Sequence, residues 1–382
     1  MMNKKLQTTN YKLQTPPVTE GVKYAGSKRS LIPYILALVK STGATRVLDG
    51  FSGTTRVAQA LAKSGFQVTA NDISAWSEIF GVCYLCNRKP PEEYRELIEH
   101  LNHVKPFPGW FTEHYGGAEN GGVSVQADGL KKPWQTRNTQ KLDGIREEID
   151  CLGLPRVDRA VALTSLILAL DAVDSTLGHQ AAYLNAWAPR AYKTLELQVP
   201  LTFISPCENV VLRGDIFDAL PKVASDVAYF DPPYGSNNAK MPPSRVRYAA
   251  YYHLWTTICE NDRPELFGKA KRRKDSSDLA AASIFEEFRR DESGNFIAVE
   301  AIRRLLQKTR AKWVILSYSS GGRATAEELN AVISEQGTLQ ETLEITYRKH
   351  VMAGMSWTRD WVRDAEEPNR EFLFLVEKRG EN

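Results

Sequence analysis

The amino-acid sequence predicts an α/β protein with a doubly wound sheet and a mainly helical inserted domain. Three observations predict this fold class: a strand-helix-strand pattern at 45–72, apolar strand segments that resume only late in the chain, and a helix-rich segment between them. Short apolar strands that alternate with helices are typical of a parallel sheet covered on both faces. We therefore expect one discontinuous α/β domain at 20–73 and 208–382, an insertion at 74–207, and a flexible tail at 1–19.

The first strand-helix-strand unit carries clear local signals. Residues 45–49 form a short apolar segment, 50–53 a glycine-containing turn, and 55–63 a helical pattern. Residues 66–72 give a second strand, which ends on Asp72. In a parallel sheet this carboxylate lies at the carboxyl end of its strand, where open α/β folds bind ligands.

The segment that follows is predicted to be mainly helical. Helical patterns occur near 76–86, 92–104, 140–150 and 157–173. The stretch 106–133 is rich in glycine, proline and aromatic residues and is predicted to be irregular. A loop of this length in a compact domain is usually functional.

Strand patterns resume after the insertion. They lie at 209–213, 226–230, 313–317, 343–347 and 372–376. Helices predicted near 296–307 and 324–334 alternate with them. This alternation completes the pattern of one sheet that the insertion interrupts between its second and third strands.

Composition and charge exclude several classes of protein. No apolar run is long enough to span a bilayer and the N-terminus is polar, so we expect a cytoplasmic protein without a membrane segment. Five cysteines without a closely spaced framework argue against a disulfide scaffold. The net charge of +3 does not by itself indicate a polyanionic partner. Basic clusters at 131–146 and 269–274 are either a nucleic-acid surface or an ordinary solvated one.

One cysteine-histidine pattern has the ligand count of a zinc site. Cys83-x-x-Cys86 is followed by His100-x-x-His103. Both pairs fall on predicted helices, and the histidine spacing is tighter than zinc sites usually have. We therefore expect no metal site.

A proline-rich tetrapeptide directly follows the apolar strand at 226–230. Its sequence is Asp231-Pro232-Pro233-Tyr234. It is predicted to lie at the carboxyl edge of the sheet. The prolines fix φ and have no N–H, so the loop is stiff and the carbonyl of Pro232 is free to face a substrate.

This loop has the chemistry for methylation of an amino group on a base. The lone pair of such an amine is delocalised into the ring, and acceptors for its N–H bonds localise it as positive charge develops in the transition state. Asp231 and the Pro232 carbonyl are the predicted acceptors, and Tyr234 offers a flat face for stacking. A base in a duplex must be flipped out to reach them. The alternative is a simple turn after a strand.

The order of motifs resembles that of the Dam-like adenine-specific DNA methyltransferases. The resemblance rests on Lys23-Tyr24-Ala25-Gly26-Ser27-Lys28, Phe51-Ser52-Gly53, Asp72 and the loop that begins at Asp231. It extends to Ile145-Arg146 and to the stretches 174–179, 252–257 and 316–320, and so spans most of the chain from Lys23 to about Lys378.

The resemblance implies S-adenosylmethionine as the cofactor, on a Rossmann-like methyltransferase sheet. The implied cofactor contacts are Tyr24, Lys28, Phe51, Gly53, Asp72, Asp215 and Asp231. Asp72 is expected to accept the ribose hydroxyls, and Lys28 to bind the methionine carboxylate of the cofactor. A helix cap is the alternative role for Asp72 and for Asp215. The chain has Thr54-Thr55 where the family more often has a further glycine.

The resemblance also implies double-stranded DNA as the partner. The insertion occupies the place of much of the family's target-recognition region. Expected DNA-binding residues are Lys131, Lys132, Arg137, Tyr252, His253, Lys271 and Arg272. The aromatic residues among them are either a wall for a flipped base or part of the core.

The predicted function is therefore site-specific adenine-N6 methylation of DNA by a monomer or weak dimer, either solitary or paired with a cognate restriction endonuclease. Two alternatives stay open. One is methylation of a base amino group in RNA, and the other is a catalytically inert nucleic-acid-binding protein of the same fold.

Overall fold

The computed structural model describes residues 13–235, 248–277, 280–287, 289–347 and 369–379. Its centre is a seven-stranded sheet. The strands are β1 Arg46–Asp49, β2 Gln67–Asp72, β3 Val210–Arg213, β4 Val227–Phe230, β5 Trp313–Ser319, β6 Gly337–Tyr347 and β7 Asn369–Lys378.

The strand order across the sheet is β6-β7-β5-β4-β1-β2-β3. β1 to β5 are all parallel to one another, as the sequence predicted. β7 is antiparallel to both β5 and β6. Because antiparallel neighbours need no crossover helix, β6 and β7 are consecutive in the chain and also pair with each other.

The parallel strands create a switch point beside β1. The chain passes from β1 to β2 and β3 on one side and then returns to form β4 on the other side. Connections from β1 and β4 therefore leave in opposite directions, which opens a crevice at their carboxyl ends. Each residue of β4 is buried, as expected for a central strand with both faces covered.

The helices cover both faces of the sheet and build the insertion. They are α1 Ile32–Ser41, α2 Arg56–Lys63, α3 Ala75–Leu85, α4 Arg95–Asn102, α5 Trp110–Tyr115, α6 Thr136–Cys151, α7 Arg156–Ala172, α8 Ile216–Ala219, α9 Tyr248–Tyr251, α10 His253–Glu260, α11 Ile297–Lys308 and α12 Ala326–Gln336. α1 and α2 pack on one face. α8, α11 and α12 pack on the other. A capping box between Thr325 and Glu328 fixes the start of α12.

The helical lobe is larger than the segment that the sequence delimited. Its core unites α3 to α7 with Leu254, Trp255 and Ile258 of α10, which lies after the third and fourth strands. Arg146 on α6 is almost fully buried and donates from Nε to the carbonyl of Ile258 at 2.6 Å. The predicted irregular stretch also contains α5. Its position in the sequence placed α10 in the α/β domain at 208–382, whereas its apolar residues pack in the core of the lobe.

The predicted flexible tail falls partly on residues 1–12, which lie outside the described residues. The described part is held against α2: Lys63 Nζ donates to the carbonyl of Val18 at 2.8 Å, and Arg56 Nη1 to that of Thr19 at 2.6 Å. Residues 18 and 19 of the predicted flexible tail therefore contact α2. None of the helices in the described ranges combines the length and apolar character needed to cross a membrane.

Candidate active site

A cavity of about 550 Å³ lies at the carboxyl ends of β1, β2 and β4. All of the predicted cofactor-binding residues line it: Tyr24, Lys28, Phe51, Gly53, Asp72, Asp215 and Asp231. These residues come from five separate stretches of the chain. Their convergence at the switch point agrees with the ligand site expected for an open α/β sheet.

Two glycines shape the turn after β1. A Cβ atom on Gly50 would lie 2.6 Å from Cδ1 of Phe230, so the turn packs directly against the end of β4. Gly53 has a φ of 47°, and its N–H donates to Asp72 Oδ2 at 2.8 Å. Thr55 also has a positive φ, of 58°, so the turn keeps a left-handed conformation at one of the threonines where the family more often has glycine.

Asp215 performs the helix-capping role that the sequence offered as an alternative, whereas the N-cap of α3 is Ser74 and Asp72 only bonds to its N–H. Asp72 Oδ1 accepts from the N–H of Ser74 at 2.8 Å, and Asp215 Oδ1 caps α8 by accepting from the N–H of Phe217, also at 2.8 Å. Each residue still lines the cavity. A carboxylate has more lone pairs than these bonds use, so both residues remain available as acceptors.

Aromatic rings form one wall of the cavity. Tyr24 stacks on Tyr252 with ring centroids 4.6 Å apart and on Tyr248 at 5.5 Å. The hydroxyl of Tyr252 accepts from the N–H of Ala25 at 2.6 Å, which ties the N-terminal segment to the helical lobe. On the opposite side, Phe51 meets Phe285 edge to face at 5.3 Å.

Asp231 lies at the carboxyl end of β4 within a cluster of charged side chains. Lys28 Nζ is 3.1 Å from Asp231 Oδ1 and 2.9 Å from Glu371 Oε1. The hydroxyl of Tyr234 donates to the same oxygen of Asp231. Lys28 thus pairs with two carboxylates of the protein itself, and its expected contact with the methionine carboxylate of the cofactor stays a prediction.

Burial sets the charge state of Asp231. Removal from water raises the pKa of this carboxyl to about 6, Lys28 opposes the rise, and Glu371 adds to it. Pro232 is buried and Tyr234 half-buried, and of the two prolines it is Pro233 that lines the cavity. Tyr234 therefore anchors Asp231 through its hydroxyl as well as carrying an aromatic face.

Asp49 is a cavity residue that the sequence analysis did not single out. It ends β1 and is 1% exposed, and neither carboxylate oxygen accepts a well-formed hydrogen bond from the described residues. Burial, with repulsion from Asp231 and Asp72, raises its pKa to about 8, although the nearby N–H groups of Ala58 and Phe51 oppose the rise. A carboxylate at the end of a buried strand, directly before a glycine turn, is the sequence signal that identifies it.

Glu371 is a second buried carboxylate that the sequence did not mark, although it does not line the cavity. It is 1% exposed and lies on β7, far in sequence from the loop that it contacts. In the sequence it is only a charge that precedes an apolar strand. No local signal marks it, because its contacts with Lys28 and Tyr234 are set by strand order.

The structure separates the predicted DNA-binding residues by exposure. Lys131 and Arg137 are exposed, and Lys271 and Arg272 are half-buried. The remaining three, Lys132, Tyr252 and His253, are buried.

The buried residues have internal roles that correct the expectation of direct DNA contact. Lys132 Nζ donates to the carbonyl of His114 at 2.9 Å. His253 Nε2 lies 3.2 Å from the carbonyl of Gln180, and burial lowers its pKa to about 3, so it is uncharged at neutral pH. Tyr252 packs in the core of the lobe. Each lies in or beside an apolar segment whose partners are distant in sequence.

Two segments that carry predicted DNA-binding residues contact α5. Lys132 bonds to His114 on this helix, and the hydroxyl of Tyr115 donates to the carbonyl of Lys271 at 2.8 Å. Lys271 and Arg272 belong to a hairpin that pairs Leu266–Phe267 with Arg272–Arg273. The loop that carries Lys131 and this hairpin therefore both contact α5.

The cysteine-histidine pattern is spread over two helices. His100 Nε2 lies 2.6 Å from Glu148 Oε1, and Cys83 is buried in the core of the lobe. Within the ranges that the structure covers, no group of three or more histidine, cysteine or acidic residues is arranged to hold a metal ion.

Comparison with known proteins gives the same family over most of the chain. A model described as D12 class N6 adenine-specific DNA methyltransferase matches residues 24–313. The chain is 27% identical over 377 residues to modification methylase StsI of Streptococcus sanguinis, with 94% of this chain and 52% of that protein covered. It is 25% identical over 369 residues to type II methyltransferase M.FokI of Planomicrobium okeanokoites, covering 94% and 53%.

A shorter relative is matched over nearly its whole length. Type II methyltransferase M.NlaIII of Neisseria lactamica is 23% identical over 337 residues, with 86% of this chain and 92% of that protein covered. The chain spans about half the length of the first two relatives.

Proposed function

Because the chain belongs to the D12 class of N6 adenine-specific DNA methyltransferases, we propose that it methylates the N6 amino group of a flipped-out adenine in double-stranded DNA. The observation that carries this proposal is Asp231, a carboxylate at the carboxyl end of β4 that lines the cavity. One of its oxygens is held by Lys28 and Tyr234. Its second oxygen remains to accept an N–H of the target amine.

We propose S-adenosylmethionine as the methyl donor, and the cavity residues fit this group. Asp49 is a buried carboxylate without a hydrogen-bond partner among the described residues, which suits the cationic end of the cofactor. Tyr24 offers an aromatic face, and Asp72 an acceptor for ribose hydroxyls. When bound, the cofactor supplies an electrophilic methyl group whose C–S bonding pair leaves with sulfur as the new N–C bond forms.

The Asp231 side chain and the Pro232 backbone carbonyl act on the amine. Asp231 Oδ2 and the Pro232 carbonyl accept its two N–H bonds and so direct the lone pair toward the methyl donor. These bonds strengthen as the nitrogen becomes positive, so they stabilise the transition state more than the ground state. The proton that the nitrogen then loses passes first to Asp231, whose pKa near 6 allows it to release the proton to water at neutral pH.

The proposal is tested by methyl transfer from labelled S-adenosylmethionine to duplex DNA and to RNA, with the purified full chain. Expression in a host without adenine methylation, followed by modification-sensitive sequencing of its DNA, identifies the base and the target site. N6-methyladenine at one short DNA sequence is the expected result. Labelling of RNA alone overturns the proposal in favour of an RNA enzyme, and cofactor binding without any transfer overturns it in favour of an inert nucleic-acid-binding protein.

The rate of methyl transfer is expected to fall as the pH decreases through about 6. Burial raises the pKa of Asp231 to about 6, so the carboxyl is protonated below that value and no longer acts as a charged acceptor. Each further pH unit then lowers the single-turnover rate by about tenfold. The measurement is the single-turnover rate from about pH 5 to about pH 8, and a rate that is constant over this range contradicts an essential ionised Asp231.

We further propose that the basic residues beside α5 bind the DNA backbone. Lys131 and Arg137 are exposed on the insertion, and Lys271 and Arg272 lie on the neighbouring hairpin. Phosphate contacts from such residues orient the duplex without reading its sequence.

Replacing Lys131 and Lys271 together with alanine is expected to weaken binding to all DNA sequences alike. The slope of log K against log salt concentration should become shallower by about 1 for each phosphate that the protein no longer neutralises. Fluorescence anisotropy over a salt series measures this slope. Lys222→Ala, at an exposed site just before β4 and thus at the opposite edge of the sheet, is the matched control. An unchanged slope in the double variant contradicts this surface.

The names of the relatives motivate two further parts of the proposal. Since StsI is a modification methylase, we propose that this protein is paired with a cognate restriction endonuclease, which cuts the same sequence when it is unmethylated. We also propose that the enzyme works in the cytoplasm, where such DNA is found, as a monomer or weak dimer.

A further inference from the structure

Glu371 is a buried carboxylate whose bonds to the described residues converge on one oxygen. Its Oε1 accepts from Ser317 Oγ at 2.8 Å and lies 2.5 Å from the hydroxyl oxygen of Tyr234, whose single proton it shares with Asp231 Oδ1. Lys28 Nζ lies 2.9 Å from the same atom. Burying an unpaired carboxylate costs several kcal/mol of folding free energy. The donors around Oε1 offset this cost.

The sheet brings Glu371 to the catalytic loop from two strands away. β7 pairs with β5 so that Glu371 lies opposite Ser319 and Leu373 opposite Ser317. β5 in turn pairs with β4, with Leu316 opposite Phe230, the residue before Asp231. Glu371 lies outside the range that the family model matches, which ends at residue 313.

Glu371 and Asp231 share the same two donors. Lys28 and the hydroxyl of Tyr234 contact Glu371 Oε1 and also Asp231 Oδ1. No described residue donates to Asp231 Oδ2. Among the described residues, the orientation of the Asp231 carboxylate is therefore fixed through Oδ1.

We propose that Glu371 is a positioning residue for methyl transfer, which holds Lys28 and Tyr234 so that both donors converge on Asp231 Oδ1 and leave Oδ2 for the target amine. This inference rests on the proposed function. Glu371 acts through Lys28 and Tyr234 and does not touch the substrate.

Charge gives Glu371 a second effect on the same step. One ammonium, on Lys28, lies between two carboxylates, so the cluster keeps a net negative charge next to the site where the amine becomes positive. Without the charge of Glu371, Lys28 neutralises Asp231 alone, and the attraction for the developing cation is weaker. Removing Glu371 therefore lowers the rate of the chemical step, because the donors are misplaced and the negative charge is lost. Ground-state binding of DNA and cofactor stays nearly unchanged.

The test is Glu371→Gln in the full chain, with kcat, KM for DNA, cofactor affinity and the pH profile measured. We expect kcat to fall by about 10–100-fold, because the variant misplaces preorganised donors, while KM and cofactor affinity stay within about threefold. The acid limb of the profile should move to lower pH, since the negative charge of Glu371 raises the pKa of Asp231. Lys28→Met should move it in the opposite direction. Glu377→Gln, farther along β7 and paired with surface Lys312, is the matched control.

A second variant keeps the inference testable if Glu371→Gln does not fold. Glu371→Asp keeps the charge but draws it back from the donors, so the acid limb should stay in place while kcat falls by a smaller factor. A wild-type rate and pH profile in either variant, or a loss of cofactor affinity in step with kcat, overturns the positioning role. Absence of methyl transfer in the wild type at every pH is a different result, which overturns the proposed function instead.

Discussion

Asp231→Ala is expected to reduce the single-turnover rate of methyl transfer by at least about 10²–10³-fold, the range seen when one preorganised hydrogen-bonding group that stabilises a transition state is removed. The substitution removes the acceptor for the target amine and also the carboxylate that anchors Lys28 and Tyr234. Rapid-quench measurement of methyl incorporation into DNA gives the rate without interference from product release. We expect cofactor affinity to change far less than the rate, because Asp231 acts mainly in the transition state.

Two comparisons make this result interpretable. Asp218→Ala, on the exposed side of α8, removes an aspartate near the cavity that does not line it and should retain the wild-type rate. Asp231→Asn keeps an oxygen acceptor but not the charge, so it should be slow and should lack the acid limb near pH 6. An Asp231→Ala variant that transfers methyl groups at the wild-type rate excludes Asp231 as the acceptor.

Asp49→Asn is expected to weaken binding of S-adenosylmethionine by about 10–100-fold. The variant keeps the shape of the side chain but removes a charge that the described residues leave without a hydrogen bond. A charge-assisted bond to the cationic end of the cofactor is worth about 1.5–3 kcal/mol, which corresponds to this change in Kd. Isothermal titration calorimetry measures it, and an unchanged Kd contradicts the assignment of Asp49 to the cofactor.

The pH dependence of cofactor binding separates this role from a structural one. Burial raises the pKa of Asp49 from its ordinary acidic range to about 8, so the carboxyl is mostly protonated at neutral pH before a cation binds. Binding of a cation favours the ionised form, so affinity should rise with pH up to about 8 and protons should be released. Asp49→Asn should show neither effect.

The effect of Asp49→Asn on protein stability is an independent check, because we expect it to be opposite in sign to the effect on cofactor affinity. Since the folded-state pKa of Asp49 is raised, its contribution to stability is greatest at low pH and is lost as pH rises through about 8. Without cofactor, Asp49→Asn should therefore be at least as stable as the wild type at neutral and higher pH. A lower Tm together with weaker binding indicates a packing defect instead.

Much of the fold was predictable from local patterns. The apolar segment before Asp231 and the strand that ends on Asp72 were correctly recognised as parallel strands, and the family that the motif order indicated was confirmed. These features are local, because consecutive residues determine both the burial of a strand and the turn that ends it. Helix α5 within the predicted irregular stretch was missed, since glycines and prolines flank only a few helical residues.

The placement of charged and aromatic residues was less predictable. Lys132 and His253 lie in segments that suggested a basic or aromatic surface, yet both are buried and bonded to carbonyls. Exposure depends on which other segments pack against a residue. In these cases the partners are distant in the chain, and the hydrophobic periodicity of the sequence does not predict these contacts.

The sequence by itself determined the class of fold, the family and the location of the Asp231-Pro232-Pro233-Tyr234 loop after β4, because each is encoded in short runs of consecutive residues. Only the tertiary structure decided that Asp49 is buried without a bond among the described residues, and that Glu371 shares Lys28 and Tyr234 with Asp231. The physical reason is strand order: β7 is inserted beside β5, and this brings a carboxylate from near the end of the chain next to one from its middle.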